Sequence, residues 1–117
     1  MSLREKLSAF KAQFQSGKPP FEQVPSSVHA VMKRAIDELI ASGAAARLRR
    51  SGPAPAFELK DAHGAMVRLA DLVAKGPVIL SFYRGVWCPY CNLDLQELQG
   101  NADSIKATGA TLAAITP

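Results

Sequence analysis

Three consecutive stretches limit what this chain can fold into. Residues 77–83 form a continuous apolar run rich in Val, Ile, Leu and aromatic residues. Residues 91–106 place Leu95, Leu98, Ala102 and Ile105 at helical spacing, and residues 111–116 are a second short apolar run. Such runs suit strands buried on both faces, and the pattern between them suits an amphipathic helix. Strand, helix and strand with short links make a βαβ unit whose strands run parallel. Gly100 is a weak point in the helix, and Gly109 ends it.

The only two cysteines of the chain, Cys88 and Cys91, lie at the junction of the first strand and the helix. They belong to the run Phe82-Tyr83-Arg84-Gly85-Val86-Trp87-Cys88-Pro89-Tyr90-Cys91. In open α/β sheets, reactive groups gather beyond the carboxyl ends of strands. Pro89 is tolerated at the first helical position, where its missing N–H would have no intrahelical partner. Cys88 is then expected near the N-cap, with Cys91 about one turn further on and its sulfur on the same face. The positive end of the helix dipole favours thiolate over thiol, and Arg84 and the first-turn N–H groups can add to that. Trp87 and Tyr90 are placed to shield the sulfurs or to form a docking surface.

Three other uses of the pair are weaker. Inert buried cysteines seldom stand at this spacing beside Trp and Pro at a helix start. Zinc needs four ligands, and the chain offers only His29 and His63, each in a different segment, besides the pair. A purely structural disulfide closing so short a loop gives little entropic stabilisation. The pair therefore reads as a redox dithiol, with no metal and no cofactor implied.

Upstream, residues 1–50 read as a helical extension and residues 51–117 as the α/β domain. Leu3, Leu7, Phe10 and Phe14 recur at helical spacing over residues 2–16, and Gly17-Lys18-Pro19-Pro20 ends that helix. A second helix starts after Ser26-Ser27, with Val28, Val31, Met32, Ala35, Leu39 and Ile40 on one face and Gly43 as its stop. Both helices are expected to pack on their own domain. Arg47-Leu48-Arg49-Arg50 leads into the stiff stretch 51–56 and reads as a solvated connector. Phe57-Glu58-Leu59 and Val67-Arg68-Leu69 each alternate apolar and polar residues. They predict a β-hairpin turning at His63-Gly64. Asp71 is placed to cap a short helix closed by Gly76.

At 117 residues and 48% hydrophobic residues, the chain has the material for one core. The net charge of +4 is spread without an aromatic-studded basic face, so nucleic acid is not an expected partner. The longest apolar run is too short for a bilayer. With two cysteines and a mixed-charge start, the expected compartment is cytoplasmic.

The stretch from Pro53 onward resembles the peroxiredoxins, the alkyl hydroperoxide reductase/thiol-specific antioxidant branch of the thioredoxin-like superfamily. The resemblance rests on Ala54-Pro55-Ala56-Phe57-Glu58-Leu59 with Asp61 and Gly64, on Val67-Arg68-Leu69 and Asp71-Leu72, and on Val78-Ile79-Leu80-Ser81-Phe82-Tyr83 with Trp87-Cys88-Pro89-Tyr90-Cys91 beyond it. With the helical extension, the whole looks like the bacterial redoxin proteins. The resemblance implies a thioredoxin-like α/β fold. It also implies reduction of hydrogen peroxide or organic hydroperoxides through the pair, with recycling by thioredoxin or a similar dithiol. Alternatives are a thiol–disulfide oxidoreductase using the same pair, or a non-catalytic redox-sensing or assembly module.

Two ways of laying the motif on the family disagree. Read as thioredoxin-like, Trp87-Cys88 matches the Trp-Cys pair, so Cys88 is the nucleophile and Cys91 resolves. Read without gaps as a peroxiredoxin, Cys91 falls on the peroxidatic cysteine and Cys88 on the threonine that hydrogen-bonds it. Arg84 then stands where the family has a proline. Cys88, nearer the helix end and expected to be the more exposed, is favoured as the nucleophile. The chain reaches only the second central strand, so the fold reads as C-terminally truncated, without the later cis-proline loop and arginine of the superfamily. An open sheet edge leaves a homodimer in play.

Overall fold

Backbone pairing matches the alternation of residues closely in the hairpin. In the computed structural model, which describes residues 1–47 and 51–117, strand β1 (Glu58–Lys60) runs antiparallel to β2 (Met66–Arg68) with Leu59 opposite Val67. Asp61 builds the turn. Its Oδ1 accepts the His63 and Ala65 N–H groups at 2.8 and 2.9 Å, and its backbone N–H donates to the Ala65 carbonyl at 2.8 Å. Arg68 Nε reaches Glu58 Oε1 at 2.8 Å across the strands.

Helix α3 (Leu69–Val73) begins directly after β2, because the Leu69 N–H is still bonded to the Phe57 carbonyl of the hairpin. Asp71 accordingly lies inside the first turn and not at the cap, a correction to the expected position. From there the chain turns through Gly76 into β3 (Val78–Phe82). The third strand pairs in parallel with β4 (Thr111–Ile115), Val78 opposite Thr111 and Phe82 opposite Ile115. Between them run α4 (Pro89–Gly100) and α5 (Ala102–Ala107). The single helix expected over 91–106 is thus broken just after Gly100. Asn101 leaves helical geometry there, and its side-chain amide donates to the Glu97 carbonyl at 2.8 Å.

The two strands of this pair were expected to be buried on both faces, and they are not. Ile79 and Phe82 are exposed, and the other residues of β3 are half-buried. Each strand has a single neighbour in a two-stranded sheet, so neither gains the cover that an interior strand has. A cavity of about 610 Å³ opens between the hairpin and the end of the parallel pair, lined by Phe57, Leu59, Val67, Leu72, Tyr83 and Ile115 among others.

The chain divides into two units, Met1–Leu3 with Ala54–Pro117, and Arg4–Pro53. Helix α1 (Leu3–Gln15), all but its first residue in the second unit, presents Phe10 and Phe14 to Phe21, with ring centroids 5.5 and 5.3 Å away. His29, near the start of α2 (Ser26–Ala41), lies 4.7 Å from the Phe14 ring. The apolar stripe of α2 faces solvent, from Val28 and Val31 to Leu39 and Ile40, the last 72% exposed. The expectation that both helices pack on their own domain fails for α2. The α1 aromatics are taken up by Phe21 and by the first turn of α2, and the later turns of α2 stay open to solvent. The Arg47–Arg50 connector falls largely on residues 48–50, outside the described residues.

Candidate active site

The cysteines are positioned by the turn that leaves β3. The Tyr83 N–H still donates to the Ile115 carbonyl at 2.9 Å, so the chain leaves the sheet at Arg84. Gly85 then adopts a φ of 141°, a conformation that a side chain strains. That lets the Cys88 N–H close back onto the Gly85 carbonyl at 3.1 Å. Cys88 is the N-cap of α4, Pro89 takes the first helical position, and the Cys88 carbonyl accepts the Asn92 N–H at 3.0 Å. Asn92 also ties the loop to the helix, its side-chain amide donating to the Val86 carbonyl at 3.0 Å.

Both cysteines are free thiols, and their exposure is the reverse of what was expected. Cys88 is 2% exposed and is the one buried residue among those described, while Cys91 is partly open. The tight turn onto Gly85 carries Cys88 inward and close to Tyr90. Burial raises the Tyr90 phenol, and the charge of Cys88 adds to that effect. Cys91 stands one turn further on and keeps access. Nearness to a helix end therefore does not decide which sulfur is exposed.

Hydrogen bonding distinguishes the sulfurs as well. The Cys91 thiol is held below the ordinary thiol range, first by a hydrogen bond from the Cys88 side chain and then by the Arg84 N–H, 3.4 Å from its Sγ. The Arg84 charge acts in the same direction, against partial burial and the nearby Asp94. Arg84 thus contributes through its backbone ahead of its guanidinium. The latter stacks 5.0 Å from the centre of the Trp87 ring, and Trp87 is 65% exposed. Sequence reasoning missed Asn92 and the part played by Gly85. A glycine shortly past a strand end, with an amide side chain in the first helical turn beyond it, was the available signal.

A lowered thiol has a defined effect on pH dependence. The thiolate is the nucleophile, so Cys91 reactivity rises with pH and levels off once pH passes its lowered value. Alkylation of reduced Cys91 by iodoacetamide is expected to level off at lower pH than that of a free cysteine. Cys88→Ala, which removes the first donor, should move the plateau upward. Cys88→Ser retains a donor and should move it less. Peptide mass spectrometry of alkylated samples across pH checks both.

A family model described as AhpC/TSA family matches residues 51–117, more than half of the chain. The chain belongs to the AhpC/TSA family. This match covers the hairpin, the βαβ unit and both cysteines, which together form a partial thioredoxin-like α/β fold. Membership sets the chain among redoxin-type peroxidases and oxidoreductases. No curated protein and no solved structure gave a significant match. No helix among the described residues is long and apolar enough to cross a membrane. His29 lies on Phe14 in the helical unit and His63 in the hairpin turn, and no cluster of three or more His, Cys, Asp or Glu that could hold a metal ion occurs among the described residues.

Proposed function

We propose that the chain is a thiol-dependent peroxidase in which Cys91 attacks and Cys88 resolves. The observation that carries this reading is access: Cys91 is partly open, with the Arg84 N–H 3.4 Å from its Sγ, while Cys88 is 2% exposed. The Cys91 thiolate attacks one peroxide oxygen and breaks the O–O bond. The sulfur becomes a sulfenic acid, and the departing oxygen takes a proton and leaves as water or an alcohol. The Cys88 sulfur then displaces hydroxide from that sulfenic acid, giving a Cys88–Cys91 disulfide and a second molecule of water. An external dithiol such as thioredoxin returns the pair to thiols in a reducing, cytoplasmic compartment. The resemblance read without gaps agrees, since it assigns Cys91 the attacking part and Cys88 that of a hydrogen-bonding threonine.

A second reading is favoured by the exposed Val86 and Trp87 beside the pair, which suit contact with a protein disulfide. The test is intact mass with thiol counting before and after one equivalent of hydrogen peroxide. Loss of two thiols and two hydrogens within the mixing time supports the peroxidase. Slow or absent loss, with reduction of insulin disulfides by the reduced chain, would replace it with the oxidoreductase. Inertness in both assays would leave a non-catalytic redox-sensing or assembly module.

A further inference from the structure

The loop between β3 and α4 is built around Trp87, a side chain with no part in the chemistry above. Its indole is 65% exposed, so burial is not what holds it. A Cβ added to Gly85 would lie 2.5 Å from the indole Nε1 and 2.8 Å from Cδ1, so the pyrrole edge occupies the space over that glycine. The ring also meets the Arg84 guanidinium, 5.0 Å from the centroid and within cation–π range. Trp87 thus touches both residues that open the turn, and one of them supplies the N–H donated to Cys91 Sγ at 3.4 Å. A bond of that length to sulfur depends on the direction of the Tyr83–Arg84 peptide that carries the N–H, and the glycine that follows Arg84 does little to hold that residue in place.

We propose that Trp87 is a positioning residue: by filling the space over Gly85 and stacking on Arg84, it fixes the peptide whose N–H is donated to the Cys91 sulfur. Its catalytic consequence rests on Cys91 being the attacking thiol. The Asn92 bond to the Val86 carbonyl holds the middle of the same loop, so that Trp87 governs only its first two residues. A flat ring is required for this task, since an aliphatic side chain gives no stacking face to the guanidinium. The conservative replacement Trp87→Phe should therefore work where Trp87→Leu does not.

The experiment reads the pH midpoint of Cys91 alkylation, by peptide mass spectrometry, in wild type, W87F, W87L and W87A. W87F is expected to stay near the wild-type midpoint. W87L and W87A are expected to show a raised one, with Cys91 alkylation at pH 7 slowed about threefold or more. Wild-type midpoints in W87L and W87A, with an unchanged far-ultraviolet circular dichroism spectrum, would overturn the proposal. A measurement on the wild-type chain covers the case in which those variants do not fold. Its Arg84 amide resonance should titrate with Cys91, and the indole should show nuclear Overhauser contacts to the Gly85 α-protons; absence of both would also overturn it. Failure of the peroxidase reading looks different, because a midpoint shift in W87L supports the positioning role even if wild type consumes no peroxide.

Discussion

Cys91→Ser is expected to lower peroxide consumption by about a thousandfold or more, leaving no sulfenic acid to trap. Cys88→Ser should instead keep the first chemical step. A hydroxyl at that position can still donate to the Cys91 sulfur, and the Arg84 N–H is untouched. One equivalent of peroxide should then leave a persistent sulfenic acid on Cys91, trapped by dimedone and located by peptide mass spectrometry. Without the resolving thiol, turnover should stop after that equivalent. The asymmetry comes from access as much as from charge, because Cys88 at 2% exposure meets a peroxide only if the turn opens. Sulfenic acid on Cys88 in Cys91→Ser, with none on Cys91 in Cys88→Ser, would exchange the two roles.

The place of the dithiol was legible from residue types alone. Val78 to Phe82 gave a strand, Pro89 suited the first helical position, and the two cysteines flank that proline at the start of the helix. Which sulfur faces outward was not legible. That depends on the φ of Gly85 and on a backbone bond from Cys88 to Gly85, and neither leaves a mark in periodicity or charge. A helix N-terminus polarises whatever stands there, but it does not aim a side chain at solvent. The same limit hid Asn92, whose role requires the Val86 carbonyl to turn toward α4.

The fold divides along the same line. Alternation in 57–59 and 67–69 identified the hairpin, since a period of two has few other uses. Helical spacing in α2 named an apolar stripe but said nothing of what it meets: Val31, Leu39 and Ile40 meet solvent, and His29, outside that stripe, meets Phe14. Periodicity reports which face would be buried if a neighbour were present. Local chemistry had the same reach at the α4–α5 break. Gly100 marked the weak spot, but the break itself needed the Asn101 side chain to bond the Glu97 carbonyl.

Gly76→Ala is the substitution expected to cost most stability, because it strains the joint on which the parallel pair is assembled. Gly76 has a φ of 145°, open to glycine and costly for any side chain. A Cβ there would lie 2.5 Å from the Gly109 carbonyl oxygen, a backbone atom that cannot rotate away. One residue further along, the Thr111 N–H donates to the Pro77 carbonyl at 2.9 Å and begins the pairing of β3 with β4. Relief of the clash must separate the loops that carry these two strands. We expect a loss of about 3 kcal/mol or more, and a fall in Tm of about 10 °C or more. Gly109→Ala separates the two causes. It also places a Cβ at a positive φ, 81°, but meets nothing within 4 Å, and so should cost only about 1–2 kcal/mol. Thermal melts of the two variants side by side test this, and equal losses would show that the close approach of Gly76 to Gly109 contributes nothing beyond backbone strain.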